Sequence, residues 1–205
     1  MSRDLFENAL REVKRFYEAE PVMMAFTPFP SETQLQWAER KPYHINPADL
    51  FAADDSLTSD HFASVRDALI ALKDAAFWRE TYKHTNIGDD FLNRFGCYEL
   101  LGLDGHFHCR ETRGFIVYSP GELYYPWHHH PAEEMYFILA GEAEFAVEGK
   151  TPKMLSPGDH MFHGENVPHN MQTREKGVLA WVQWRGDKLG VAPVLTDRLN
   201  EGLAT

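Results

Sequence analysis

The spacing of apolar residues changes near residue 95, and that change restricts the chain to folds joining a helical region to an all-β region. Before it, Leu5, Phe6, Ala9, Leu10, Val13, Phe16 and Tyr17 recur at helical spacing, with Ser2 placed to cap the start. The segment "EPVMMAFTPFPSET" carries prolines that rule out one continuous helix. The stretch "SDHFASVRDALIALKDAAFWRETY" reads as a second long helix, with Ser59 as N-cap and Phe62, Val65, Ala68, Leu69, Leu72, Ala75, Ala76 and Phe77 on its apolar side. After about Phe95, short runs punctuated by glycine and proline follow one another: "CYELLG", "HFHCRET", "FIVYSPG", "EMYFILAG", "AEFAVEG", "PKMLSPGD", "HMFHG" and "LAWVQWRG". Strands at such short spacing predict an antiparallel barrel or sandwich. The expected organisation is a helical N-terminal region over 1–94, packed on a β-barrel over 95–205. The helices either cover a barrel edge or build a dimer contact.

Charge and cysteine usage narrow the function. The formal net charge of -11 argues against nucleic acid and against anionic membrane surfaces, both of which need a basic face. Two cysteines, Cys97 and Cys109, are expected as reduced thiols. The N-terminus is too charged for a secretory signal, and no apolar run approaches the roughly 20 residues of a membrane span. The expected location is the cytoplasm.

The most informative stretch is "YYPWHHHPAEEMYFILAG", from Tyr124 to Gly141. A strand sends alternate side chains to one face. Glu134, Tyr136, Ile138 and Ala140 then share a face, and Met135, Phe137 and Leu139 form an apolar stripe on the other. His128 and His130 share a parity with each other, so both can join Glu134 and Tyr136 in one cavity, while His129 and Glu133 point away. Two imidazoles and a carboxylate suit a divalent first-row metal such as zinc, iron, manganese or nickel. A fourth ligand is expected from a later strand, from His160, His163 or His169. Gly141 fits a tight turn, with "EAEFAVEG" returning as a hairpin partner.

These residues resemble the cupins, small β-barrels whose first motif runs Gly, five residues, His-x-His, three or four residues, Glu, six residues, Gly. Here it spans Gly121, six residues, His128–His130, Glu134 and Gly141. Aligned on Gly158, the second motif places its histidine on His169. Its Pro and Gly become Gly164 and Asn166, and its closing Asn becomes Thr173. The resemblance implies a mainly β fold: a cupin-type antiparallel β-barrel (double-stranded β-helix, or jelly roll) with an N-terminal α-helical region. It also selects His169 as the later ligand. Within the cupins, "YYPWHHHPAEEMYFILAGEAEF" looks like the signature of the cupin-type dimethylsulfoniopropionate (DMSP) lyases, which have a tyrosine two residues after the ligand Glu, here Tyr136, and often one before the histidines, here Tyr125.

That resemblance implies a carbon–sulfur lyase that cleaves DMSP to dimethyl sulfide and acrylate by β-elimination, with one divalent metal per chain on His128, His130, Glu134 and His169. Tyr136 is expected as the base. Tyr125 is the competing base or an orienting partner in substrate binding. Aromatic faces attract cations such as sulfonium. Of Trp127, Phe162, Trp181 and Trp184, the last is assigned to the pocket, because Trp181 has the opposite parity. The expected partner is a small zwitterion, and a homodimer fits the cupin pattern. Two rivals share these residues: another metal cupin, oxygenase or isomerase, acting on a small acid, and a non-catalytic cupin that holds a small ligand.

Overall fold

A computed structural model describes residues 2–196. The end of the expected barrel region, 197–205, lies outside the described residues. Helix α1 (Ser2–Ala19) buries Phe6, Ala9, Val13, Phe16 and Tyr17, while Leu5 faces solvent. Ser2 is already helical rather than a cap. Proline opens the short helix α2 (Pro21–Phe26), where its missing N–H costs nothing. Strand β1 (Gln36–Trp37) and helix α3 (Asn46–Ala53) follow.

The second long helix is cut short. Helix α4 spans Ala63–Ile70 only, and Ser59 Oγ accepts the Phe62 N–H one turn before it. Non-local partners overrode the helical spacing beyond Ile70. Trp78 is fully buried, donates its indole N–H to the Lys73 carbonyl at 2.8 Å, and bridges to Tyr98. Helix α5 (Asp89–Arg94) then leads into the sheets.

The remaining strands are β2 (Gly96–Gly102), β3 (Phe107–His108), β4 (Arg113–Ser119), β5 (Tyr124–His129), β6 (Glu133–Gly141), β7 (Ala143–Val147), β8 (Lys153–Leu155), β9 (His160–His163), β10 (His169–Gln172), β11 (Val178–Arg185) and β12 (Val194–Leu195). They form two sheets, in the orders β1-β3-β2-β4-β11-β6-β9 and β12-β5-β10-β7-β8. Pairing is antiparallel except between β2 and β3. The two sheets face each other without closing into one hydrogen-bonded ring, and the fold is the cupin double-stranded β-helix.

The expected β6–β7 hairpin does not form. Strand β6 pairs with β11 and β9, whereas β7 pairs with β10 and β8 in the other sheet. Gly141 makes the crossing: its φ is +71°, and a Cβ there would lie 1.9 Å from the Gly177 carbonyl oxygen. One parity assignment also changes. The β6–β11 register slips where Leu179 opposes Ala140 and Ala180 opposes Ile138, leaving Leu139 as an extra residue. Ala140 therefore packs with Phe137 and Leu139 rather than with Glu134's side.

Two cores result. One lies between the helices and the outer face of the larger sheet, where Phe137 meets Phe16 and Phe62 at ring distances of 5.5 and 5.4 Å. The other lies between the sheets and includes Tyr125, Tyr136, Ile138, Phe145, Val182 and Trp184. Cys97 and Cys109 are buried free thiols. Among the described residues no helix is long and apolar enough to cross a membrane.

Candidate metal centre and active site

Glu134, at the start of β6, is the hub of a buried polar cluster. Its Oε1 accepts the Trp184 indole N–H at 2.7 Å, and its Oε2 faces His163 Nδ1 at 2.6 Å. His130 Nε2 lies 3.4 Å from Oε1, and His169 Nε2 lies 3.2 Å from Oε2. The ligand atoms of His130, Glu134 and His169 all lie within 4.8 Å of one another.

Local backbone geometry orients the rings. His128, His130 and His169 each set Nδ1 against a carbonyl, of Pro126 at 2.8 Å, Ala132 at 2.9 Å and Val167 at 2.9 Å. A carbonyl only accepts, so Nδ1 carries the proton and the neutral ring's lone pair sits on Nε2. The Nε2 atoms of His130, His163 and His169 are buried without a hydrogen-bond partner. On His130 and His169 those lone pairs face a carboxylate, an arrangement of acceptors against acceptors that a proton or a metal cation resolves. The donor set, imidazole nitrogens and one carboxylate, fits zinc, iron, manganese or nickel.

Electrostatics agree with that geometry. Burial works against the charge on Glu134, but the nearby imidazoles, His130 foremost and then His163 and His169, outweigh it and hold the carboxyl well below its usual range. Burial also opposes charge on His130, yet Glu134 raises its pKa. His128 is driven well below the ordinary histidine value by burial and then by His169, and His163 is lowered to about 4 by the same two causes.

The structure separates the sequence candidates. His128 is buried, with its ring 4.0 Å from that of Tyr125 and 4.2 Å from that of His169, but its nitrogens lie outside the close group. His163 sits inside the cluster, its ring stacked on His169 at 3.9 Å, so the later histidines contribute two residues rather than one. The β6–β9 register places it there, opposite Glu134. His160 is exposed. Glu133 faces away and accepts from Arg185 Nε at 2.7 Å. The second-motif turn is rebuilt: Asn166 takes φ +55° and donates its N–H to the His130 carbonyl at 2.8 Å, tying the two histidine segments together. Thr173 Oγ1 donates to the Pro120 carbonyl at 2.6 Å and accepts from Leu123 N–H at 2.9 Å.

Tyr136, Tyr125, Trp184 and Glu134 line one cavity of about 50 Å³. Both phenols are pushed well above the ordinary tyrosine pKa, chiefly by burial. The Tyr125 hydroxyl lies 2.7 Å from that of Tyr82, a buried residue of the N-terminal region that sequence spacing did not single out. Trp184 stands 4.3 Å from the His130 ring and 5.2 Å from Phe115. Trp181 faces the helices, Phe162 is exposed beside Phe26, and Trp127 is half-buried.

The family of dimethylsulfoniopropionate lyases matches residues 23–180. The dimethylsulfoniopropionate lyase DddQ of Ruegeria pomeroyi is 46% identical over 191 residues, covering 93% of this chain and 94% of the relative. The crystal structure of DddQ from Ruegeria pomeroyi superposes with a TM-score of 0.90 at 44% identity, over 94% of this chain and 96% of that one. A chain from the crystal structures of the DMSP lyases RdDddP and RnDddQII matches with a TM-score of 0.91 at 36% identity, covering 96% of this chain and all (100%) of that one. With the family matched over most of its length, this chain belongs to the DMSP lyases.

Proposed function

We propose that the chain is a metal-dependent carbon–sulfur lyase that cleaves DMSP into dimethyl sulfide, acrylate and a proton. The observation that carries this reading is the buried Glu134 carboxylate, faced by imidazole lone pairs on one side and sharing a cavity with two phenols on the other. His130, Glu134 and His169 would hold one divalent metal, with His128 alongside. When bound, that ion supplies Lewis acidity for the substrate carboxylate and positive charge that favours a phenolate.

The protein residues do the rest. Tyr136 takes the proton α to the carboxylate; the electron pair forms the carbon–carbon double bond and the carbon–sulfur bond breaks. The sulfide departs neutral, so no general acid is needed. Tyr82 fixes the Tyr125 hydroxyl, which positions the substrate. His163 and Trp184 hold the two oxygens of Glu134 in place. The Trp184 ring also offers a face to the sulfonium. Burial of these groups excludes bulk water. A cytoplasmic, homodimeric protein completes the reading.

The test is direct. Purified protein with its metal content measured is given DMSP, and the headspace is assayed for dimethyl sulfide. Release that is lost on chelation and restored by added metal is expected. A fully metallated protein that releases none overturns the proposal.

A further inference from the structure

A second, more open cavity of about 470 Å³ is lined by Arg40, Tyr43, Arg79, Lys83 and neighbouring residues. It shares Arg79 and Thr81 with the inner cavity beside Glu134. Among the described residues, Arg79 is the one basic side chain lining that inner cavity. Its guanidinium also lies 5.4 Å from the ring centre of Phe115, another inner-cavity residue.

The partner of Arg79 does not depend on it. Arg79 Nη1 donates to Glu99 at 2.9 Å, with Asp104 farther off at 3.9 Å. Glu99 is held independently by the buried Arg113, whose Nε and Nη2 donate at 2.9 and 2.5 Å. Arg113 also bonds Asp104 at 2.9 Å. Arg79 can therefore leave Glu99 without stranding a buried carboxylate, and its side chain is 24% exposed, with room to turn. The remaining acid of the outer cavity, Glu80, is held by Lys83 and Tyr43 at 2.8 and 2.5 Å. Arg40 uses Nε on the Gly105 carbonyl at 3.2 Å. The lining balances Arg40, Arg79 and Lys83 against Glu80, Glu99 and Asp104, and two of those acids, Glu99 and Asp104, are already paired from behind the wall by the buried Arg113. In a chain of net charge -11, a wall whose acids are already paired and whose Arg79 can be released is where a small anion can approach.

We propose that the outer cavity is a docking site for small carboxylates, and that Arg79 passes them to and from the inner cavity by exchanging Glu99 for the ligand carboxylate. For DMSP and acrylate this rests on the lyase reading. The carboxylate chemistry itself does not.

Propionate, which has the carboxylate but no sulfonium, is the probe. Its affinity for the metal-loaded protein is measured by calorimetry for wild type, Arg79→Gln and Arg79→Lys. Arg79→Gln should weaken propionate about tenfold, the scale of one charged hydrogen bond, and Arg79→Lys should recover most of that loss. With DMSP, Arg79→Gln should raise KM about tenfold and change kcat less. In wild type, the Arg79 Nε–H NMR signal should move on propionate addition, a readout that needs no variant. Equal propionate affinity in wild type and Arg79→Gln overturns the proposal, as does an Arg79 signal unmoved at saturating propionate. A metallated wild type that releases no dimethyl sulfide defeats the lyase reading instead, and the propionate titration still decides the role of Arg79.

Discussion

The two faces of β6 and β11 are built from the same two strands and do opposite work. On the helix side, Met135, Phe137, Leu139, Leu179 and Trp181 are buried against α1 and α4, and the Trp181 N–H is satisfied by Gln183 at 2.9 Å. On the inter-sheet side, Glu134, Tyr136 and Trp184 meet four buried histidines, three of which keep an unpartnered Nε2. Each such atom costs about 1–3 kcal/mol in a protein interior. The helix-side face stabilises by burial, and a large aromatic there contributes about as much as two such atoms cost. The apolar face thus supplies stability, and the polar face supplies lone pairs for a ligand.

That contrast can be broken from either side. The largest effect is expected from Glu134→Ala, which removes the group on which His130, His163, His169 and Trp184 converge. Metal per chain, by elemental analysis, should fall to background, and lyase activity by more than about 100-fold. Retained metal would show that the histidines suffice alone. Next comes Tyr136→Phe, expected to lower kcat by about 10²–10⁴-fold with metal content and unfolding midpoint close to wild type. Full activity would move the base to Tyr125.

On the opposite face, Phe137→Ala should cost about 3–5 kcal/mol in urea unfolding while the folded fraction keeps its metal stoichiometry. A variant that lost metal without losing stability would erase the distinction between the faces. A fourth test uses a histidine away from the site. His106 is buried against Phe6, and burial lowers its pKa to about 4. The unfolded chain takes up a proton near pH 6.5, before the folded one does. Stability from this group is complete above that value and is lost as pH falls towards 4, by about 3 kcal/mol in all. His106→Phe should flatten that part of the pH–stability curve. The smallest effect is expected from Tyr82→Phe, about 1 kcal/mol on transition-state stabilisation through the Tyr125 hydroxyl, read as a drop of a few-fold in kcat/KM.

Much of the site was legible because it follows local rules. The alternation along Glu134–Leu139 put the acid and the phenol on one face and the apolar stripe on the other, and opposite parity separated Trp181 from Trp184. What escaped was non-local. His163, one of three candidates that the chain order left open, joins Glu134 only through the β6–β9 register, and Tyr82 reaches Tyr125 across 43 residues of chain. The long second helix gave way to Trp78 because a buried indole with a carbonyl partner and a strand neighbour outweighs a few residues of helical propensity.

By itself the sequence determined the change from helical to strand spacing, the facing of β6 and the family resemblance, since periodicity and motif are properties of neighbours along the chain. Tertiary structure alone decided that β6 and β7 belong to different sheets, that Ala140 changes sides at the Leu139 bulge, and that His130 and His169 close on Glu134 while His128 stands beside them. Those outcomes depend on register and on the sign of one glycine's φ, which balance contacts from distant segments and leave no periodic trace in the chain.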